Sequence, residues 1–148
     1  MGILAEWREC FKAKHNGREP RLWIDKYCID QQDIAASLAC LPVCLAGCSK
    51  LVILCGETYL SRLWCVLEIY VFLEMGGSLA NLEVYLLGDG KGKGDLRNTI
   101  LQFDARDAKS SSDEETLRLQ QVLAIAGYEQ INLLVQSVFQ EKLPPLDV

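Results

Sequence analysis

Lys50-Leu-Val-Ile-Leu-Cys55, then Leu63-Trp-Cys-Val-Leu-Glu-Ile-Tyr-Val-Phe-Leu73, then Leu82-Glu-Val-Tyr-Leu-Leu87 is the stretch that decides the fold. The first run is continuously apolar, the signature of a strand covered on both faces. The middle run is too long for a typical strand and suits a helix, with Ser61 placed to cap it and Gly76-Gly77 to end it. The third run reads as another strand. Helices alternating with apolar strands form the pattern of a parallel α/β sheet. Sites in such sheets lie at the carboxyl ends of the strands, which here are residues 26–33, 56–61 and 88–95.

Working outward, Ile3 to His15 reads as a helix with Ile3, Leu4, Trp7, Cys10 and Phe11 on one face, ended by Asn16-Gly17. Arg21-Leu-Trp-Ile-Asp25, after Pro20, is expected to be a strand. Asp33 can cap a second helix whose stripe is Ile34, Leu38, Leu41 and Leu45, and Pro42 should kink or split it. Beyond the third strand, Asp95 to Leu101 suits a short helix and Gln102 to Ala105 a weak strand. Ser112-Asp-Glu-Glu115 is a capping box that opens a helix running to Gly127. Ile131, Leu134, Val135, Val138 and Phe139 then mark a last amphipathic helix. The organisation is one domain over residues 1–142 with a flexible tail at 143–148.

The chain has 148 residues and a net charge of −5, with half of its residues hydrophobic. That balance excludes wholesale disorder. It also argues against nucleic acid as a partner, because neutralising phosphates needs a basic face. The longest uncharged stretch, Ile34 to Ser49, is 16 residues, short of the roughly 20 that span a bilayer. Glu6, Arg8 and Glu9 interrupt the N-terminus before any signal-like apolar run. The expectation is a cytoplasmic protein with no membrane partner.

Seven cysteines, an odd number without a Cys-x-x-Cys pair, favour reduced, buried thiols. Cys40, Cys44 and Cys48 recur every four residues. Over a helix they span about 12 Å, too far to share one zinc ion, so apolar packing is the simpler account. Asp25, Asp30 and Asp33 suit a cation or, more simply, a solvated turn. The glycine-rich run Gly88 to Gly94 fits neither nucleotide-binding fingerprint and reads as a surface turn. His15, the single histidine, lies where a cation favours the end of a helix dipole. No metal site is expected.

Glu68 stands out as the only charge between Leu63 and Leu73. A carboxylate on a buried helix is costly unless it is paired or faces a pocket, so it is either a structural ion-pair partner or a functional group. Trp64 lies one helical turn before it, on the same face. It is either core packing or a flat wall for a base or ribose.

Leu51-Val-Ile-Leu54 followed by Tyr59, Ser61 and Trp64-Cys-Val-Leu-Glu68-Ile69 resembles the third strand and third helix of Toll/interleukin receptor (TIR) domains. Leu22-Trp-Ile-Asp25 with Ile34 and Leu38 looks like the preceding strand and helix. Trp23-Ile24-Asp25, Cys28-Ile29 and Gln31 also resemble the opening of heterokaryon-incompatibility domains. The likeness covers residues 20–75. It implies a flavodoxin-like parallel sheet lacking its first strand, with extra C-terminal helices. It further implies an intracellular signalling or defence module that cleaves NAD as substrate, needing no cofactor. Residue by residue, Glu68 takes the catalytic role, and Trp64, Ser61, Tyr59 and Asp25 fall in the substrate-binding region. Nicotinamide leaves a cationic pyridinium as a neutral molecule, so one carboxylate suffices where glycosidases usually need two. The alternative that the resemblance implies is a non-catalytic scaffold acting by self-association with similar domains.

Overall fold

Two parallel strands, β1 (Leu51–Cys55) and β2 (Leu82–Leu86), pair in register from Leu51 opposite Leu82 to Cys55 opposite Leu86. The computed structural model describes residues 2–28, 33–87 and 93–143. Among these residues β1 and β2 are the only strands, forming an open two-stranded sheet. Parallel neighbours need a crossover, and α4 (Leu63–Glu74) supplies it. The result is a small α/β fold with helices flanking a parallel pair. The chain divides into two compact units, Met1–Cys40 and Leu41–Val148.

The first unit holds α1 (Ile3–Lys14), the one-turn α2 (Asp25–Cys28) and the start of α3 (Ile34–Ala46). Trp7 is buried on α1, its ring 5.5 Å from that of Phe11, and Phe11 stacks on His15 at 4.1 Å. Asn16 and Gly17 take left-handed backbone angles, φ 53° and 77°, and the Gly17 N–H donates to the Lys12 carbonyl, so α1 stops where expected. Asp33 caps α3 by accepting from the Ala36 N–H at 3.0 Å.

The expected strand at Arg21–Asp25 is not formed. Residues 21–24 are neither helix nor strand, and Asp25 opens α2 instead. An apolar run becomes a strand only by pairing, and no described strand lies beside this one. Leu22 and Ile24 stay 51% and 38% exposed. The helix α3 runs unbroken through Pro42, so the expected split is absent.

In the second unit, Leu41 and Leu45 of α3 are buried. After β1, a single 3-10 turn at Tyr59–Ser61 leads into α4. Ser61 does not cap α4: Arg62 occupies the cap position without a side-chain bond, and the Ser61 hydroxyl donates back to the Thr58 carbonyl at 2.8 Å. The tight turn moves the helix start two residues beyond the serine. Ile53 and Cys55 bury one face of β1, while Val52 and Leu54 on the other are only half-covered, so the strand is not enclosed as its composition suggests. Lys50 pairs with Glu83 across the start of the sheet.

After β2 come α5 (Lys93–Leu101), α6 (Asp113–Ala126) and α7 (Tyr128–Lys142). The expected strand at Gln102–Ala105 is a set of turns. The Phe103 N–H donates to the Ile100 carbonyl and the Ala105 N–H to the Asn132 side chain, which leaves them unavailable to a ladder. Ser112 caps α6, accepting from the Glu115 N–H at 3.2 Å. Gly127 (φ 91°) ends α6 and starts α7. Ile131, Val135, Val138 and Phe139 of α7 are buried with Leu119 and Leu123 of α6 and Leu63, Val66, Leu67, Ile69 and Phe72 of α4. This three-helix packing is the unit's core.

All seven cysteines are free, but the burial expected of them holds only for Cys55 and Cys65. Cys44 and Cys48 are half-buried, and Cys10, Cys28 and Cys40 are exposed. On α3 the buried positions are Leu41 and Leu45, one residue off the cysteine stripe. The glycine-rich run at residues 88–92 and Asp30 lie outside the described residues.

Candidate functional site

The carboxyl end of β1 presents Cys55, then the turn carrying Tyr59 and Ser61, then the first two turns of α4 carrying Trp64, Cys65 and Glu68. These residues come together because a parallel strand must hand the chain to its crossover helix at this end. Along α4, Trp64, Glu68 and Val71 are half-buried, and their spacing puts them on one stripe, whereas Leu63, Cys65, Val66, Leu67, Ile69 and Phe72 are buried. Glu68, the only charge between Leu63 and Leu73, therefore lies on the helix's wetter side.

Tyr59 is partly exposed as a residue, yet its hydroxyl is desolvated. That desolvation first, and then the charges of Cys65, Glu68 and Cys55, hold its pKa well above the usual phenol range, with Arg62 pulling weakly the other way. Glu68 is thus close enough for its charge to act on the Tyr59 hydroxyl. Tyr59 stays protonated at neutral pH and can only donate or accept a hydrogen bond. Its ring lies 6.4 Å from that of Phe139 in α7, at 60°. Burial pushes the Cys55 thiol up to about 11, so it is a packing group rather than a nucleophile near neutrality.

Trp64 is fastened to a residue that the sequence pattern did not single out for this role. Its indole N–H donates to Glu115 Oε1 at 2.8 Å, 51 residues along the chain. Glu115 is 7% exposed, and its other oxygen accepts from the Ser111 hydroxyl at 3.0 Å. The buried carboxyl side chain among the described residues is therefore Glu115, and Glu68 is half-buried. The capping-box motif identifies Ser112 as cap and foretells the Glu115 N–H bond. It also assigns the Glu115 side chain to the helix end, whereas that side chain reaches to α4. No sequence pattern links residues 64 and 115.

The segment before α6 is pinned to the same place. The Leu63 N–H donates to the Lys109 carbonyl and the Lys109 N–H to the Ser61 carbonyl, both at 2.9 Å. The Gln120 side chain donates to the carbonyls of Ala105 and Ala108, and the Ser110 N–H donates to Thr116 Oγ1. The entry to α4 is thus braced by residues 104–112.

Asp25 belongs to the other unit, at the first position of α2. Among the described residues no three His, Cys, Asp or Glu side chains are grouped to hold a metal ion. No single described helix is long and apolar enough to cross a membrane. Comparison of the chain with family models, curated proteins and solved structures finds no match.

Proposed function

We propose that the chain is a TIR-like α/β module of signalling or defence that cleaves NAD to nicotinamide and ADP-ribose, or a cyclic form, with Glu68 as its catalytic residue. The observation that carries this reading is the position of Glu68: the one charge between Leu63 and Leu73, half-buried, in the second turn of the helix that follows β1 and electrostatically coupled to Tyr59. In the reaction the ribose–nicotinamide bond breaks and nicotinamide departs with the electron pair. Glu68 stabilises the positive charge that develops on the ribose. Water, or an adenine nitrogen in the cyclic product, then adds at the same carbon and a proton passes to solvent. Tyr59 and Ser61 are the neighbouring hydroxyls that would orient the sugar. The test is nicotinamide release from NAD, with and without a crowding agent. Release by the wild-type chain that falls at least a hundredfold in Glu68→Gln, with an unchanged melting temperature, is the expected result. Equal release by both removes Glu68 from the mechanism.

A second reading, a non-catalytic scaffold that associates with its own kind, draws on a different observation. Trp64 is committed to Glu115, and Leu117, Ile125 and Leu133 leave apolar side chains 62%, 90% and 66% exposed on α6 and α7. Light scattering separates the two readings. A dimer abolished by Ile125→Lys, in a protein that releases no nicotinamide, favours the scaffold.

A further inference from the structure

Cys44 and Cys48 lack the packing role that their spacing suggests. The α3 side chains that turn inward are Leu41 and Leu45, so these two cysteines lie one position round and stay half-buried. Cys48 follows the end of α3, its N–H donating to the Leu45 carbonyl at 3.0 Å. Its thiol folds back and donates to the Cys44 carbonyl at 3.4 Å. Burial, and after it the charge of Cys44, push the Cys48 thiol up, so the two sulfurs lie within electrostatic reach of each other. Both residues belong to the second unit and precede β1, at the opposite end of that strand from Tyr59 and Glu68. A thiol that keeps its proton is a poor nucleophile, which speaks against a reactive or easily oxidised pair. A sulfur-seeking metal ion can still displace the proton, because its ligand is the thiolate. Structural zinc asks for four ligands, and among the described residues no third His, Cys, Asp or Glu side chain joins these two. Thiolates select Cu(I), and that ion is satisfied by two of them. At about 2.3 Å per metal–sulfur bond, a linear pair needs its sulfurs about 4.6 Å apart. Turning the Cys48 side chain toward Cys44 gives up only a weak S–H donor bond. We propose that Cys44 and Cys48 form a two-coordinate site for Cu(I), shielded by their half-burial at the end of α3. The inference is independent of the reading of Glu68.

The test is an anaerobic titration of the full chain with Cu(I) against bicinchoninate, a coloured Cu(I) chelator. Cys10, Cys28 and Cys40 are exposed and would compete, so the chain carries Cys10→Ser, Cys28→Ser and Cys40→Ser. The expected result is one ion withheld from the chelator per chain, with X-ray absorption showing two sulfur ligands and with Zn(II) not retained. Adding Cys44→Ser or Cys48→Ser should each weaken retention more than about a hundredfold, since changes even in the outer shell of a metal site cost about 10–100-fold. Cys44→Ala and Cys48→Ala, which remove the sulfur without adding a hydroxyl, should give the same loss, with melting curves to verify all four folds. Four results would overturn the proposal: no Cu(I) withheld, undiminished retention when either sulfur is removed, three or more sulfurs around the ion, or one ion per two chains.

Discussion

The bond between Trp64 and Glu115 is the residue-scale feature with the clearest energetic consequence. Glu115 is buried and Trp64 half-buried, so losing either leaves the other's hydrogen-bonding group unmet in a poorly solvated place, at a cost of about 1–3 kcal/mol. Glu115→Ala and Trp64→Phe should each lower stability by that order in chemical denaturation. The double variant should fall short of their sum by about 1 kcal/mol or more, since the second change no longer breaks a bond. A second expectation concerns alkali. Cys55 ionises at about 11 in the fold against an ordinary 9.0, and Tyr59 lies above its usual 10.0. The unfolded chain then loses these protons first as pH rises, so the stability they contribute is whole below pH 9 and drains away through pH 11 and beyond. Unfolding free energy measured from pH 8 to 11 should decline, and Cys55→Ala should flatten the decline between pH 9 and 11. The same residues show what can be read from a sequence. A single charge in an apolar helix is visible there, and it directs attention to Glu68. How deep that charge sits depends on which helices later cover it, and the carboxylate that is truly enclosed, Glu115, looks in sequence like one of three acids at a helix start.

At the scale of elements, the local signals were good guides. The capping residues Asp33 and Ser112, the stops at Asn16-Gly17 and Gly127, and the runs that became β1 and β2 all act through neighbours within a few positions. The strands expected at 21–25 and 102–105 failed because a strand exists only by virtue of a partner that the run itself does not contain, and the cap expected at Ser61 and the split at Pro42 failed as well. Gly76-Gly77 illustrates a stop whose two halves do different work. Gly76 takes φ 96°, which other residues rarely adopt. Gly77 has no room for a side chain: a β-carbon there would lie 2.4 Å from the buried Phe72 ring and 2.6 Å from that residue's carbonyl. Gly77→Ala must push against both, and overpacking of this kind costs about 1–3 kcal/mol. A thermal melt should show a drop of several degrees, whereas Gly56→Ala, with open space around it, should melt close to wild type.

At the scale of the molecule, the distribution of buried apolar groups is uneven. Within Met1–Cys40, Trp7 is the buried hydrophobic residue among those described, and the other buried hydrophobic residues belong to Leu41–Val148. Surface ion pairs such as Arg8 with Glu19 add little to such a segment. Local opening should therefore be far easier in the first unit. Hydrogen exchange should show the amides of α1 losing protection orders of magnitude faster than those of β1 or of Ile131–Phe139, and a uniform rate across both would contradict this. The parallel pairing of the strands was legible from the alternation of strand, helix and strand, and the number of strands was not. How many strands a sheet gathers is decided by long-range closure rather than by any run of residues.

The two longest helices share a single residue as their joint. Gly127 closes α6 and opens α7 at a bend of 90°. A connection that short dictates the azimuth of α7 as well as its direction. One residue inserted there would turn the helix by about 100° about its own axis. Ile131, Val135 and Val138 would then swing toward water, and the buried ring of Phe139 would go with them. Length at that corner is consequently as strictly specified as chemistry is anywhere in the core, and drift by insertion or deletion is tolerable only elsewhere.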